Sequence, residues 1–146
     1  MNTKLPYWLW LFPLVYFLHI IEEIKGVGHG INLPLNVFLI LSTTAWLLMT
    51  CGIVLAQRFG FPQFMAVMLG STVFLNGLWH IFNSLINRGY DAGLISGSVI
   101  FIPLGLATLI NLRNSMRRQR YIVGVVLGMT IQTIAIILGM MLSLTL

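Results

Sequence analysis

Five apolar runs, each near or above the length that crosses a bilayer, leave this chain of 146 residues little else to fold with. A hydrocarbon core about 30 Å thick takes roughly 20 apolar residues as α-helix. The stretches 7–24, 35–56, 63–87, 92–112 and 121–144 meet that length. Between them lie only short polar or Gly/Pro-bearing connections: Lys25 to Pro34, Gln57 to Pro62, Asn87 to Asp91 and Arg113 to Arg120. Hydrophobic residues make up 58% of the chain and charged ones 8%, too little polar sequence to cover a water-soluble globule of this size. The expectation is an all-α fold: one polytopic membrane bundle of five transmembrane helices, residues 1–146 forming a single domain without a repeat or linker.

The first run follows Lys4 and precedes Gly26 and Gly28, as a secretory signal could. Glu22 and Glu23, just before the would-be cleavage region, are atypical of signal peptides, so the run is read as a span. Cys51 is the only cysteine, which rules out an intramolecular disulfide and leaves the redox compartment unread.

Basic residues set the expected orientation. Lys4, Arg58, Arg113, Arg117, Arg118 and Arg120 fall on one side of the five-span layout, and only Lys25 and Arg88 on the other. The positive-inside rule then places the N-terminus in the cytoplasm and the C-terminus outside a cell membrane. The formal charge of +5 comes mainly from the arginine cluster that flanks the last span, and anionic lipid headgroups match that placement better than nucleic acid does. No nucleic-acid partner is expected.

With this topology, every histidine and every acid of the chain falls in the outer half. His19, Glu22 and Glu23 close the first span, His80 lies near the end of the third, and His29 and Asp91 occupy outer loops. Ionisable groups inside a membrane span cost several kcal/mol by insertion scales, so they normally face a bundle interior and mark function. At about 100° per residue, Glu22 lies about 60° to one side of His19 and Glu23 about 40° to the other, so the three share a helix face. One carboxylate is free to act with the imidazole while the other meets a neighbouring helix.

On the third span Asn76, His80, Asn83 and Asn87 recur at spacings of four, three and four, forming a polar stripe on an apolar helix. The asparagines alone read first as hydrogen-bonding groups between helices. His80 in their midst, level with the carboxylates, turns the stripe towards a site. Trp79, Phe82 and Tyr90 are placed to line a cavity, although membrane aromatics more often serve packing or anchoring.

The run His19-Ile20-Ile21-Glu22-Glu23 reads H-x-x-E-E, and here the chain resembles the HXXEE family of small multi-span bacterial membrane proteins. The resemblance rests on the motif, its place at the end of the first span, the several-span layout and the length. It implies that His19, Glu22 and Glu23 are signature residues. It implies no particular activity.

Several chemistries suit these residues. His19 and His80 with Glu22 or Glu23 supply two nitrogens and one oxygen, the ligand count of a catalytic zinc or a 2-His-1-carboxylate iron centre. A di-iron centre, which usually draws on four carboxylates, fits poorly with three acids in the chain. Without a metal, two adjacent desolvated carboxylates beside a histidine suit proton addition and removal on a lipid or terpenoid, by isomerisation or cyclisation. Proton or cation transport is disfavoured because no repeated halves surround a mid-membrane site. Gly93-x-x-x-Gly97 and Gly124-x-x-x-Gly128 permit close helix contact within the bundle or in a homo-oligomer. The Gly26–Gly30 stretch lacks the strand and helix of a phosphate loop and reads as a flexible turn, with His29 exposed there or serving as a mobile fourth ligand.

The expectation drawn from these readings is a membrane enzyme acting on a lipid-like small molecule that reaches it through the bilayer. The candidate ligands for one divalent metal, zinc or iron, are His19, Glu22, Glu23 and His80. Glu22, Glu23 and Asn83 are the candidate catalytic groups, and Asn76, Trp79 and Tyr90 the candidate pocket.

Overall fold

The structure, a computed structural model, describes residues 7–26 and 33–145; Lys4 and His29, with most of the glycine-rich turn around it, lie outside the described residues. A 3₁₀ turn, Tyr7–Trp10, leads into α1 (Leu11–Gly26). Four further helices follow: α2 (Leu35–Arg58), α3 (Pro62–Asn87), α4 (Leu94–Leu112) and α5 (Arg118–Thr145). All five spans are long and apolar enough to cross a membrane, and the described residues contain no strand.

Two boundaries differ from the hydropathy reading for physical reasons. Helix α5 starts at Arg118 rather than near 121, since arginine stems extend an apolar helix while the guanidinium reaches polar surroundings. Helix α4 starts at Leu94 rather than 92 because Gly93 has φ of 99°, which no helix accommodates.

The hub is α3. Half of its apolar window is buried, against 17% for α5, and it packs on both α4 and α5. Small residues bring these backbones together: a Cβ on Gly77 would stand 2.5 Å from the Gly97 carbonyl oxygen, and one on Gly128 would collide with the Met68 carbonyl. Both G-x-x-x-G pairs are therefore spent inside the chain, on α3. Leu9, Phe12, Ile53, Val67, Val73 and Phe101 fill the main core. Trp46 of α2 donates its Nε1–H to the Pro13 carbonyl of α1 at 2.9 Å and ties that pair together.

Helix α4 is not uniform. A π turn spans Gly97–Phe101, just before Pro103. Proline cannot donate to the helix and its ring crowds the carbonyl four residues back, and a widened turn relieves that crowding. The α-helical turn Leu94–Ser96 ahead of it faces the ends of α1 and α3.

Candidate functional site

The last turn of α1, the last third of α3 and the first turn of α4 converge at one end of the bundle. His19 is 1% exposed, and the helix period puts Glu23 one turn beyond it on the same face. His80 projects from α3 to meet them, its ring centroid 4.9 Å from that of His19 in an edge-on arrangement. Helix α3 ends at Asn87, and Arg88, left-handed with φ of 50°, reverses the chain so that Asp91 returns beneath His80.

Hydrogen bonds fix both imidazoles. The His80 Nδ1–H donates to Asp91 Oδ2 at 2.5 Å, and the other Asp91 oxygen accepts from Asn83 Nδ2 at 2.6 Å. Asn83 is in turn held by Asn87 Nδ2, at 3.0 Å. On the other side, the Ser96 hydroxyl donates to Glu22 Oε2 at 2.5 Å. Its single proton thus used, Ser96 Oγ accepts from His19 Nδ1–H at 2.6 Å. Each ring therefore spends its Nδ1–H on an oxygen, and in the neutral imidazole this leaves Nε2 as the bare lone pair.

The two bare nitrogens face the same carboxylate. His19 Nε2 lies 3.6 Å from Glu23 Oε1, and His80 Nε2 3.7 Å from the same oxygen. Both separations exceed hydrogen-bonding distance. Among the described side chains, His19 Nε2 is one of two fully buried polar atoms without a hydrogen-bond partner. The ligand atoms of His19, Glu23 and His80 all lie within 4.8 Å of one another, a group able to hold a metal ion.

Gly93 seals this arrangement. A Cβ there would stand 2.6 Å from Cε1 of both His19 and His80, so the backbone itself forms one wall against the two rings. Phe101 closes another side, its ring centroid 4.5 Å from that of His19.

Glu22 does not join Glu23. Its position on the opposite side of His19 aims it at the start of α4, where unpaired backbone N–H groups favour an anion. It accepts from the Ile95 and Ser96 amides at 2.9 and 2.8 Å, and from the Tyr90 hydroxyl at 2.5 Å. That carboxylate holds the phenol proton of Tyr90 in place and pushes its pKa up to about 12. Tyr90 thus caps Glu22 and does not line the cavity. Asn83 likewise has a structural occupation, the support of Asp91.

A cavity of about 390 Å³ opens beside the cluster, bounded by α1, α2, α3 and α5. His19, Glu23, His80, Asn76 and Trp79 line it, and Asn76 Oδ1 is the second buried polar atom without a partner. Phe82 stands outside it, 55% exposed on the α3 surface.

Ser96, Gly93 and Gln132 join the site although they are not singled out for it in the sequence reading above, and Asp91 enters there only by its depth. Ser96 had a signal: it lies three residues after Gly93, hence on the helix face that the G-x-x-x-G pair turns towards α3. Asp91 is the one acid outside H-x-x-E-E. Gln132, on the cavity's α5 wall, had no signal beyond being a buried amide in an apolar helix.

No curated protein and no solved structure matches this chain. A family model described as a protein of unknown function with HXXEE motif matches residues 10–108, which takes in every member of the His/Glu/Asp/Ser network and stops short of α5. With its motif at the centre of that network and more than half its length matched, the chain belongs to the HXXEE family.

Proposed function

We propose that this chain is a cell-membrane enzyme in which one divalent metal ion, held by His19 Nε2, His80 Nε2 and Glu23, acts on a lipid-like substrate drawn from the bilayer. The observation that carries the reading is the pair of bare Nε2 atoms aimed at one carboxylate oxygen. Ligands about 2.0–2.1 Å from a tetrahedral zinc stand about 3.4 Å apart. The observed 3.6 and 3.7 Å lie close to that separation and well beyond a hydrogen bond, which disfavours a carboxylic acid shared with imidazole.

The surrounding groups match a metal centre as well. Metal-bound histidines characteristically donate their second N–H to a carboxylate or other oxygen, which fixes tautomer and ring orientation. Asp91 does this for His80, and Ser96, itself held by Glu22, does it for His19. Of the two signature glutamates, Glu23 is then the ligand and Glu22 the positioning residue. Three protein ligands leave an open position, at which such an ion polarises a substrate oxygen or activates water. Asn76, on the cavity wall, brings an amide to the side of the space nearest the cluster. The excess of basic residues towards the far end of the bundle supports an outer-leaflet site.

Elemental analysis of full-length protein, purified in detergent without chelators, tests the reading. About one equivalent of metal is expected, lost in His19→Ala, His80→Ala and Glu23→Ala but retained in Glu22→Gln at reduced affinity. Folded wild-type protein that contains no metal and takes up none on dialysis against zinc or ferrous iron defeats it.

A further inference from the structure

The cavity beside the cluster has two unlike rims. At the bundle end, Asn83 and Asn87 of α3 border it together with Asp91, and Asn87 is exposed. Along its flank the wall is made by α2 and α5, whose rim residues Leu41 and Met140 are 40% and 50% exposed. These two helices do not pack along their lengths; Leu142 of α5 reaches the Ile20/Leu33/Phe38 cluster only near the bundle end. Gly139, on the cavity side of α5, has nothing within 4 Å of where a Cβ would stand. A polar mouth thus lies at the end of the bundle and an apolar slot opens along its flank.

The lining also discriminates by charge. Asn76, Asn83, Asn87, Gln132, Ser42 and Ser143 supply amides and hydroxyls, and among the described residues no lysine or arginine lines the space. The acids on its wall, Glu23 and Asp91, would be balanced in charge by the one divalent cation proposed above. A phosphate or carboxylate head group would be desolvated here without a cationic side chain, and a quaternary ammonium head without an uncompensated anion; either is costly. A neutral head with hydroxyl or amide groups meets hydrogen-bonding partners among these amides and hydroxyls.

We propose that the cavity takes an amphiphile with an uncharged, hydroxyl- or amide-bearing head group, which enters sideways between α2 and α5 and leaves its chain in the slot bordered by Leu41, Gly139 and Met140. This deepens the metal-enzyme reading and rests on it for the charge balance of the lining and for the location of the reacting head group. A space of this size suits a head group and the first part of a chain, with the remainder in lipid.

Photolabelling of the full-length protein in lipid nanodiscs tests the proposal. Three probes share one dodecyl chain carrying a diazirine and differ in head group: glycerol ether, phosphate monoester and trimethylammonium. The glycerol probe is expected to label α2 and α5 peptides around Leu41 and Gly139 at least about tenfold more than either charged probe. Gly139→Trp, which fills the slot from its open side, is expected to abolish that labelling while the metal content stays at the wild-type level. Asn76→Leu, elsewhere on the wall, is expected to weaken it about tenfold, the worth of one hydrogen bond from the lining amide. Equal labelling by all three probes, labelling confined to other surfaces, or full labelling in folded Gly139→Trp overturns the proposal. Metal measured on the same samples separates the two readings. Selective glycerol-probe labelling of metal-free protein supports the cavity assignment and defeats the metal centre alone, whereas metal-loaded protein without selective labelling does the reverse.

Discussion

The two ends of this bundle use polar groups in opposite ways. In the half remote from the cluster, Ser71, Thr72 and Thr108 return their hydroxyls to carbonyls four residues back in their own helices, at 2.7–2.9 Å. Of these three only Thr72 also reaches across, to the Gly128 carbonyl at 3.1 Å, and the other bonds between helices in this half run from the rings of Trp46 and Tyr121 to single carbonyls. The three hydroxyls are satisfied locally, so backbones can approach over glycine. At the other end the hydrogen bonds cross between elements: His19 to Ser96, His80 to Asp91, Glu22 to Tyr90 and to the amides of α4. A local bond costs the fold little and specifies nothing beyond its own turn. A long-range bond orients a side chain at the expense of ordering two elements, which is worthwhile where orientation itself matters.

If that contrast is right, the two halves should fail differently. The largest effect is expected from Gly128→Leu in the close-packed half. The atom its Cβ would meet is the Met68 backbone carbonyl, which cannot swing away, so the loss should reach about 3 kcal/mol or more and appear as aggregation or a collapse of folded yield in size-exclusion chromatography. A well-folded, monodisperse Gly128→Leu protein would break the contrast.

Gly93→Ala carries the same steric test into the site. Its methyl would press on both imidazoles from a backbone with φ of 99°, an arrangement that adds about 1–3 kcal/mol of strain. The expected outcome is a lower melting temperature together with loss of bound metal, read on one sample by scanning fluorimetry and elemental analysis. Thermal loss with metal fully retained would mean that the rings are not held by this wall.

Asp91→Asn should spare the fold and weaken metal affinity by about 10–100-fold, the usual cost of removing the oxygen partner of a ligand histidine. Ser71→Ala in the packed half, where the hydroxyl bonds only to its own helix, should leave that affinity unchanged. Competition with a fluorescent zinc chelator measures both. Equal effects from the two would erase the distinction between the halves.

Tyr90→Phe is the mildest test. The phenol is about half exposed and supplements the amide and hydroxyl bonds of Glu22, so a change of no more than about 1 kcal/mol is expected. Its pH signature has a definite sign. The phenol's pKa is raised on folding to about 12 from an ordinary 10, so its contribution is complete below pH 10 and disappears as pH rises through about 12. Wild-type and Tyr90→Phe melting curves should therefore converge between those values; a gap that widens there would reverse the assignment.

Much of the architecture was legible without coordinates. Five apolar runs fix five helices because the bilayer supplies one length requirement for all of them. The face shared by His19 and Glu23 follows from the helix period, as does the opposite bearing of Glu22. Which carboxylate meets the imidazole's bare nitrogen did not follow, since both are near neighbours of His19 on the helix. The choice was made by the start of α4, whose free amides draw Glu22 away. Tyr90 was expected in the pocket because aromatic residues suit cavity walls; the chain reversal at Arg88 carries it to Glu22 instead.

Sequence alone thus determined the number of spans, their lengths and the concentration of histidine and acid towards one end, since each depends on spacing along a single helix or on composition. Tertiary structure decided that the two histidines face one another across α1 and α3, and that Asp91 and Ser96 set their tautomers. It also decided that Gly93 closes the wall behind them. Those relations join residues from 11 to 77 positions apart, and their geometry comes from the close backbone approach of α3 and α4, a property of two packed surfaces that neither helix encodes by itself.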